Sequence, residues 1–349
     1  MKRPWLAPLT PLYAAGVTLG NLRIDKGWKR TRTLAYPVIS IGNLSSGGTG
    51  KTPFTIALAR LLISKGFHVD VLSRGYGRQG KEPARVLAEG TATEFGDEPL
   101  LIAREAGVPV YVARQRYDAG LVAERDFIKE GGDFSPDPVP LVHLLDDGFQ
   151  HRQLFRDIDI VLVNREDWND ALLPAGNLRE TRQAARRAHV LAIPADDPAF
   201  EDEFKCWGWS GPVWRIHRRM DIPAVDGPVL AFCGIARPDQ FFAGLEAAGV
   251  HIVVRHAFGD HHSYARADIE GMVASAREAG ATALLTTEKD AIRLGSLVAA
   301  FPPALPLRTS ALTIQIDDER KALDWLEQKL AITQVAQAHR DATGRRSHL

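Results

Sequence analysis

The sequence predicts an α/β protein, with a doubly wound parallel sheet followed by a second, smaller α/β domain. Strand-like apolar runs alternate with helix-like amphipathic runs along most of the chain, which is typical of helices that cross between parallel strands. The alternation stops in residues 207–228, which are rich in Gly, Pro and Trp, and then starts again. At 349 residues the chain is also long enough for two domains.

The first half, residues 35–220, is predicted to contain the larger sheet. A β-rich run at 36–43, a helix at 53–66 that ends at Gly66 and a strand at 67–75 form one βαβ unit. Further strands are predicted at 108–113, 139–147, 158–164 and 189–194. Because these strands alternate with helical segments, this half is expected to be one doubly wound domain.

The second half, residues 221–332, is predicted to be the smaller domain. Its strands are predicted at 229–235, 251–258 and 283–287, and its helices at 238–249, 265–280 and 321–332. The stretch 207–228 before it is interpreted as a linker with room for a short β pair. The polar tail, residues 333–349, is expected to be disordered.

The overall composition is that of a soluble globular protein without an obvious macromolecular partner. Lys and Arg together number 43, and so do Asp and Glu, so the net charge gives no indication of nucleic acid. The two cysteines, Cys206 and Cys233, have no metal-binding spacing and imply no disulfide framework, which fits a reducing compartment. No feature of the sequence indicates an obligate protein partner.

Residues 1–34 differ from this neutral average. They contain seven Lys or Arg residues against one Asp, with the apolar run PWLAPLTPLYAAGVTLG between the basic groups. Prolines interrupt this run, and it is shorter than the roughly 20 apolar residues that a membrane-spanning helix needs. We interpret the segment as an interfacial anchor, with Trp5, Leu9, Leu12 and Tyr13 in lipid and the cations near anionic head groups. The alternative is an N-terminal helix that docks on its own domain.

A phosphate-binding loop is predicted between the first strand and the first helix of the βαβ unit, at GNLSSGGTGKTP (42–53). Lys51 is expected to reach the β- and γ-phosphates of a nucleotide, and Thr52 to bind Mg²⁺. Ser45 occupies the position of the first glycine in the usual pattern, and the alternative interpretation is a glycine-rich turn with a chance Gly-Lys-Thr. The predicted nucleotide-binding residues are Ser45, Ser46, Gly47, Gly48, Thr49, Gly50, Lys51 and Thr52.

Two pairs of adjacent acidic residues are candidates for metal binding and catalysis. Asp146 and Asp147 follow an apolar strand, where two neighbouring carboxylates are costly to bury unless a cation compensates them. Asp97 and Glu98 begin a predicted helix within GDEP. The alternative for this second pair is the ordinary role of first-turn acids, which interact favourably with the helix dipole.

Seven motifs, in this order, resemble those of the tetraacyldisaccharide 4′-kinase family. They are GNLSSGGTGKTP (42–53), SRGYGR (73–78), GDEP (96–99), DDGFQH (146–151), LLPAGNLRE (172–180), GDHH (259–262) and TTEKDAIRL (286–294). The resemblance implies a P-loop NTPase-like fold, ATP and Mg²⁺ as cosubstrate and cofactor, and peripheral attachment to the cytoplasmic face of the bacterial inner membrane. It implies phosphorylation of the 4′-hydroxyl of a tetraacylated glucosamine disaccharide 1-phosphate in lipid A biosynthesis. The C-terminal tail lies outside the resemblance.

The resemblance also implies roles for individual residues. Asp97 is the implied catalytic base, paired with His261 of GDHH, and Lys51 assists the transfer. The implied metal-binding residues are Thr52, Glu98, Asp147 and Asp146, and which of the two adjacent aspartates binds the metal directly stays open. The substrate-binding candidates are Arg74, Tyr76, Gln150, Arg179 and Glu180. The alternatives are a solvated turn for the first two of these and an ordinary surface ion pair for the last two.

Two other classes of function stay open from the sequence. A nucleotide-switch protein of the same P-loop branch would fit the loop, and NRED (164–167) weakly resembles a guanine-reading motif. Against this class, Ser46 replaces the lysine of dimeric ATPases, and no D-x-x-G follows the acidic strand. A structural membrane-surface protein would use the loop only for stability. The H-x3-D-H-H pattern at 256–262 also has a second interpretation, as a metal site.

Overall fold

The computed structural model describes residues 3–132 and 140–344, with side chains described up to residue 332. The strands are β1 Val38–Asn43, β2 His68–Ser73, β3 Ala84–Arg85, β4 Val110–Val112, β5 Leu141–Leu145, β6 Ile158–Leu162, β7 Val190–Pro194, β8 Val213–Asp221, β9 Val229–Cys233, β10 Ile252–Ala257, β11 Ala283–Thr287 and β12 Leu307–Ile316. The helices are α1 Thr10–Asp25, α2 Lys51–Ser64, α3 Ala92–Phe95, α4 Asp97–Glu105, α5 Arg116–Lys129, α6 Arg165–Trp168, α7 Pro198–Cys206, α8 Pro238–Ala247, α9 Arg266–Glu278, α10 Glu288–Leu294 and α11 Glu319–Gly344. Short 3-10 helices occur at Pro4–Leu9, Arg182–Arg187 and Gly295–Ala300.

Within the described residues all twelve strands form one sheet, in the order β10-β9-β11-β12-β8-β7-β6-β1-β5-β2-β4-β3. Neighbouring strands are parallel except at two places, where β8 pairs with β12 and β3 pairs with β4. The predicted α/β fold with a large, mostly parallel sheet is therefore confirmed.

The two predicted halves share this sheet. β8 lies inside the stretch interpreted as a linker, and its antiparallel pairing with β12 joins the first half to β11, β9 and β10. Ile314 of β12 and Leu326 of α11 belong to the same core cluster as Phe54 of α2. The last elements of the chain therefore pack on the first half, and the domain boundaries at 35, 221 and 333 remain predictions.

The candidate site lies at the end of the central strands of the sheet. β1 and β5 are buried at every residue, which explains their continuous apolar runs, since parallel strands are covered by helices on both faces. The two strands pair directly and run in the same direction. The loop that follows β1 and the acidic turn that follows β5 therefore meet at one edge of the sheet, where α/β proteins bind their ligands.

The C-terminal end of the chain differs from the sequence expectation, whereas the N-terminal end does not. α1 is a regular helix, which both interpretations of residues 1–34 allow, although prolines lie at its start and in the 3-10 helix before it. α11 runs past its predicted end at Ile332 to Gly344, and residues 345–349 of the predicted tail lie outside the described residues. In the described part of the chain, no helix has both the length and the apolar content needed to cross a membrane.

Candidate active site

The phosphate-binding loop lies between β1 and α2, as its motif requires. Gly50 has a φ of 89°, a left-handed conformation that a side chain would strain, and Lys51 follows it as the first residue of α2. Asn43 Nδ2 donates to Thr49 Oγ1 at 2.9 Å, which ties the end of β1 to the far side of the loop. The positive end of the α2 dipole therefore lies at the loop, where it favours an anion.

Ser45 lies behind the loop. It is fully buried, and its hydroxyl donates to Asp167 Oδ2 at 2.8 Å. The backbone N–H of Ser46 donates to the carbonyl of Asn177 at 2.7 Å. All the residues from Ser46 to Thr52 line the adjacent cavity, but Ser45 does not. The serine at the first-glycine position thus stabilises the loop through its buried hydrogen bond to Asp167. Its position gives no support to the prediction that it binds nucleotide.

A cavity of about 550 Å³ lies beside the loop, between the two halves of the sheet. Its volume is within the range of small-molecule and cofactor sites. The predicted site residues that line it are Ser46, Gly47, Gly48, Thr49, Gly50, Lys51, Thr52, Arg74, Tyr76, Glu98, Asp146, Asp147, Arg179 and His261. Residues that lie far apart in the sequence are thus brought together around one space.

The adjacent aspartates after β5 have opposite electrostatic environments. Asp146 is buried and accepts a bond from Thr55 Oγ1 at 3.1 Å. Burial, together with the nearby carboxylates of Glu98 and Asp147, raises the pKa of Asp146 to about 7. Burial alone would also raise the pKa of Asp147, but Lys51 at 3.5 Å and Arg179 at 3.0 Å hold it at about 2.

The carboxylates have the chemistry that Mg²⁺ binding requires. Glu98, Asp146 and Asp147 supply hard oxygen donors and line one cavity. Within the described residues, no three His, Cys, Asp or Glu side chains already converge on a point that would hold a metal. Mg²⁺ is usually bound by one or two carboxylates together with waters and substrate phosphates, so this arrangement fits the ion.

Asp97 and His261 form the predicted pair, although they come from opposite halves of the chain. His261 Nδ1 lies 3.2 Å from Asp97 Oδ2, and Arg293 donates to the same oxygen from Nε at 2.7 Å. Burial would raise the pKa of Asp97, but His261 and Arg293 hold it far below its usual range. The bond to Asp97 in turn raises the pKa of His261. Asp97 is therefore a carboxylate acceptor, and His261 Nδ1 carries the hydrogen of this bond.

Backbone strain marks the same site. In the described part of the chain, the two non-glycine residues with positive φ are Asp147, at 48°, and His261, at 58°. Such conformations cost on the order of 1–3 kcal/mol each and concentrate at functional sites. Both residues line the cavity, so the strain occurs where the candidate chemistry is.

The predicted substrate-binding residues divide into two groups. Arg74, Tyr76 and Arg179 line the cavity. Gln150 and Glu180 do not: Gln150 Nε2 donates to the carbonyl of Asn43 at 2.8 Å, and the buried Glu180 accepts bonds from Asn21 and Arg187. The structure thus places these last two side chains in contacts that hold the loops around the cavity.

Several cavity residues were not predicted from the sequence. Arg116, Arg218, Arg237, Lys289 and Arg293 line the cavity and make it rich in positive charge. Lys289 Nζ lies 2.5 Å from Glu98 Oε1, and Arg116 donates to the carbonyl of Asp147 at 3.2 Å. Lys289 and Arg293 belong to the TTEKDAIRL motif, which was a usable signal. The other three arginines lie outside all seven motifs.

The residues of the two patterns that favoured other functions form ordinary ion pairs and hydrogen bonds. Arg165 of NRED forms ion pairs with Asp197 and Glu203, away from the cavity. In the H-x3-D-H-H pattern, His262 bonds to Asp268 at 3.1 Å, and His261 bonds to Asp97. Neither the guanine-reading interpretation nor the separate metal site is supported by these contacts.

Comparisons with known proteins agree on one family. The family model for tetraacyldisaccharide-1-P 4′-kinases matches residues 2–331. A tetraacyldisaccharide 4′-kinase of Koribacter versatilis is 42% identical over 328 residues, which cover 91% of this chain and 96% of that protein. One of Syntrophus aciditrophicus is 38% identical over 326 residues, 84% of each chain. The crystal structure of LpxK from Aquifex aeolicus in complex with ATP superposes with a TM-score of 0.70 at 31% identity, covering 93% of this chain and 98% of that chain.

Proposed function

This chain belongs to the tetraacyldisaccharide-1-P 4′-kinase family, and we propose that its cavity carries out the reaction for which that family is named. The chain transfers the γ-phosphate of ATP to the 4′-hydroxyl of a tetraacylated glucosamine disaccharide 1-phosphate and gives the 1,4′-bisphosphate of lipid A biosynthesis. One observation carries the proposal: the phosphate-binding loop and His261 line a single cavity, and His261 bonds to the buried Asp97, although 164 positions separate these two residues.

The donor side of the cavity fits the phosphates of ATP. Lys51 lies beside the loop and already neutralises a carboxylate, so it is placed to follow the phosphates as charge shifts during transfer. Thr52, Glu98 and Asp147 are the residues that would hold Mg²⁺, with Asp146 behind them. When bound there, the ion would supply positive charge that neutralises part of the charge of the phosphates.

The acceptor side needs a group that removes the hydroxyl proton. The 4′-oxygen attacks the γ-phosphorus, the bond from that phosphorus to the β–γ bridging oxygen breaks, and ADP leaves. His261 lines the cavity, whereas Asp97 is only 5% exposed and is held by Arg293 and His261. His261 Nε2 therefore takes the proton, and Asp97 holds the opposite N–H and stabilises the imidazolium. This assignment exchanges the roles that the resemblance implies for the two residues.

A double-mutant cycle tests the pair. Asp97→Asn and His261→Ala should each lower kcat by about 10²–10⁴-fold, the usual contribution of general-base catalysis. Because the two residues act as one unit, the double variant should lose far less than the product of the two factors. His262→Ala, which changes the neighbouring histidine outside the cavity, is the control. Multiplicative losses in the double variant would show that the pair does not exist.

We assign the glycolipid to the side of the cavity that holds Arg74, Tyr76 and Arg179. Two arginines offer paired donors to a phosphate, as the 1-phosphate of the acceptor requires. The ring of Tyr76 lies 5.1 Å from that of His261, so this surface adjoins the proposed base. Arg74→Met should then raise KM for the glycolipid with little effect on KM for ATP, and an increase confined to the nucleotide would contradict the assignment.

The N-terminal segment is proposed to hold the enzyme on the cytoplasmic face of the inner membrane. Two polar side chains dock it on the protein, since Tyr13 donates to the carbonyl of Arg179 at 3.1 Å and Asn21 donates to Glu180 at 2.9 Å. Large apolar side chains are left in solvent, with Trp5 at 73% and Leu12 at 74% exposure. A docked segment that exposes aromatic, apolar and basic groups together is suited to a bilayer surface.

Vesicle binding tests this placement. Each cation close to an anionic surface contributes about 1 kcal/mol, so high salt should weaken attachment to anionic vesicles. A Trp5→Ser/Leu12→Ser variant should bind them more weakly at every salt concentration, while Leu87→Ser, an exposed leucine elsewhere, should bind normally. Equal sedimentation of all three proteins with the vesicles would refute the proposed anchor.

A further inference from the structure

Lys289 lines the same cavity as the phosphate-binding loop, but it comes from α10 in the second half of the chain. It is the second residue of α10, and Thr287 caps this helix by accepting a bond from the N–H of Asp290. The ion pair between Lys289 and Glu98 spans 2.5 Å, and the two side chains keep 26% and 27% of their surface exposed. The pair therefore stands in the cavity wall within reach of a ligand.

The position of Lys289 is fixed by a buried network. Asp290 is fully buried and accepts bonds from the N–H of Gly234 at 3.0 Å and from Tyr264 Oη at 2.9 Å. Arg293, one turn further along α10, joins Asp290 to Asp97 across the cleft. The backbone at Lys289 is thus rigid, while its long side chain can still rotate.

Two ammonium groups flank one group of carboxylates. Lys289 pairs with Glu98 at 2.5 Å, and both lysines line the same cavity as Glu98, Asp146 and Asp147. Lys51 in addition pairs with Asp147 at 3.5 Å. Each lysine therefore balances an acid that is a candidate for binding a divalent cation.

This balance implies an exchange of partners. If Glu98 turns its carboxylate to a divalent cation, Lys289 loses the anion that compensates it inside a partly buried cleft, which is costly without a replacement. A polyphosphate supplies that replacement, because its terminal group carries charge on several oxygens. The same exchange frees Lys51 from Asp147, so both lysines are released towards the same ligand.

We propose that Lys289 is a second phosphate-binding lysine, which leaves Glu98 and binds the terminal phosphate of a nucleoside triphosphate together with Lys51. This proposal rests on the proposed kinase function and adds a specific contact to it. Lys289 then distinguishes a triphosphate from a diphosphate and stabilises the charge that spreads over the transferred group. A lysine that served only as a counter-ion for Glu98 would not make that distinction.

Calorimetric titration with ATP and with ADP, in the presence of Mg²⁺ and without the glycolipid, separates these two roles. Lys289→Met keeps the length of the side chain and removes its charge. ATP should bind at least about tenfold more weakly to this variant, as expected for the loss of a hydrogen bond to a charged group, while ADP affinity should change by less than about twofold. Lys65→Met, an exposed lysine at the end of α2, is the matched control and should bind both nucleotides like the parent.

Equal changes for ATP and ADP, or no change for either, would overturn the proposal. If Lys289→Met does not fold, the double variant Lys289→Met/Glu98→Gln removes the pair without leaving a buried charge, and the same criterion applies to it. Lys51→Met in the same titration tests the underlying function. If Lys51→Met binds ATP like the parent, the kinase assignment fails, whereas loss of ATP binding there with unchanged binding in Lys289→Met overturns only the role of Lys289.

Discussion

Replacing Asp70 with Asn tests whether a buried histidine in the middle of the sheet carries a positive charge. His143 on β5 is fully buried, and its Nδ1 lies 2.8 and 2.9 Å from the two carboxylate oxygens of Asp70 on β2. Its Nε2 lies 3.5 Å from Glu124 of α5, which also accepts bonds from the backbone N–H groups of Ala35 and Tyr36. This cluster therefore ties the sheet to the segment that leads from α1 into β1.

The magnitude follows from the pKa of His143. Burial alone would lower it, but Asp70 and Glu124 raise it to about 9 from an ordinary value of 6.5. Because the folded state binds this proton more tightly than the unfolded chain, the contribution is fully present below pH 6.5 and is lost as the pH rises through 9. A pKa of about 9 against 6.5 corresponds to about 3 kcal/mol of stability at pH 6.

Thermal unfolding of the parent and of Asp70→Asn between pH 6 and pH 9.5 measures this contribution. At pH 6 the variant should be less stable by about 3 kcal/mol, or roughly 5 °C in Tm, because it leaves a buried charge without its main partner. The difference should shrink above pH 9, where His143 becomes neutral in the parent. Asp226→Asn, an exposed carboxylate, is the control. A difference that is the same at pH 6 and pH 9.5 would refute the charged histidine.

Three further substitutions give separate tests. Lys51→Ala should abolish ATP-dependent transfer while the circular dichroism spectrum and Tm stay close to those of the parent, and an unchanged kcat/KM would contradict its role. Thr52→Ala should lower activity and raise the Mg²⁺ concentration needed for half-maximal rate, so an identical Mg²⁺ titration would argue against a ligand role. Gly42→Ala should lower the stability by 1–3 kcal/mol or more, because the added Cβ would lie 2.5 Å from Phe149 Cβ. Its control is Gly271→Ala on α9, where nothing lies within 4 Å and Tm should hold or rise.

The sequence predicted the strands whose burial leaves a continuous apolar signal. VISIGN of β1 and LVHLL of β5 are buried throughout, so their composition alone identified them. β12 was not predicted as a strand, and β8 lies within a stretch that was interpreted as a linker with room for a short β pair. The start of β8 alternates buried residues such as Trp214 with exposed ones, which is a usable strand signal. The neighbouring Gly, Pro and Trp residues, which are typical of linkers, obscured that signal.

Motifs identified the site but not the direction of each side chain. Glu180 lies next to Arg179 in LLPAGNLRE, yet it is directed away from the cavity and accepts bonds from Asn21 and Arg187. Residues 179 and 180 lie in a bend outside the strands, and their side chains have different partners, so membership of a motif does not decide which neighbour meets the ligand. Conversely, residues outside the motifs can belong to the site. Arg116 and Arg218 line the cavity, but nothing in the sequence around them indicated this before the fold was known.

The antiparallel pairing of β8 with β12 explains why the pair made of Asp97 and His261 can form at all. The sequence predicts Asp97 and His261 in two different domains, so the pair would require these domains to come together. The shared sheet makes the two halves continuous, and residues of both pairing strands, Arg218 and Leu312, line the cavity. With Asp97 already bonded to both His261 and Arg293, folding itself assembles the site across the halves. If the protein closes on its substrate, the ion pairs in the cavity would change partners, but the two residues of the pair would keep their positions.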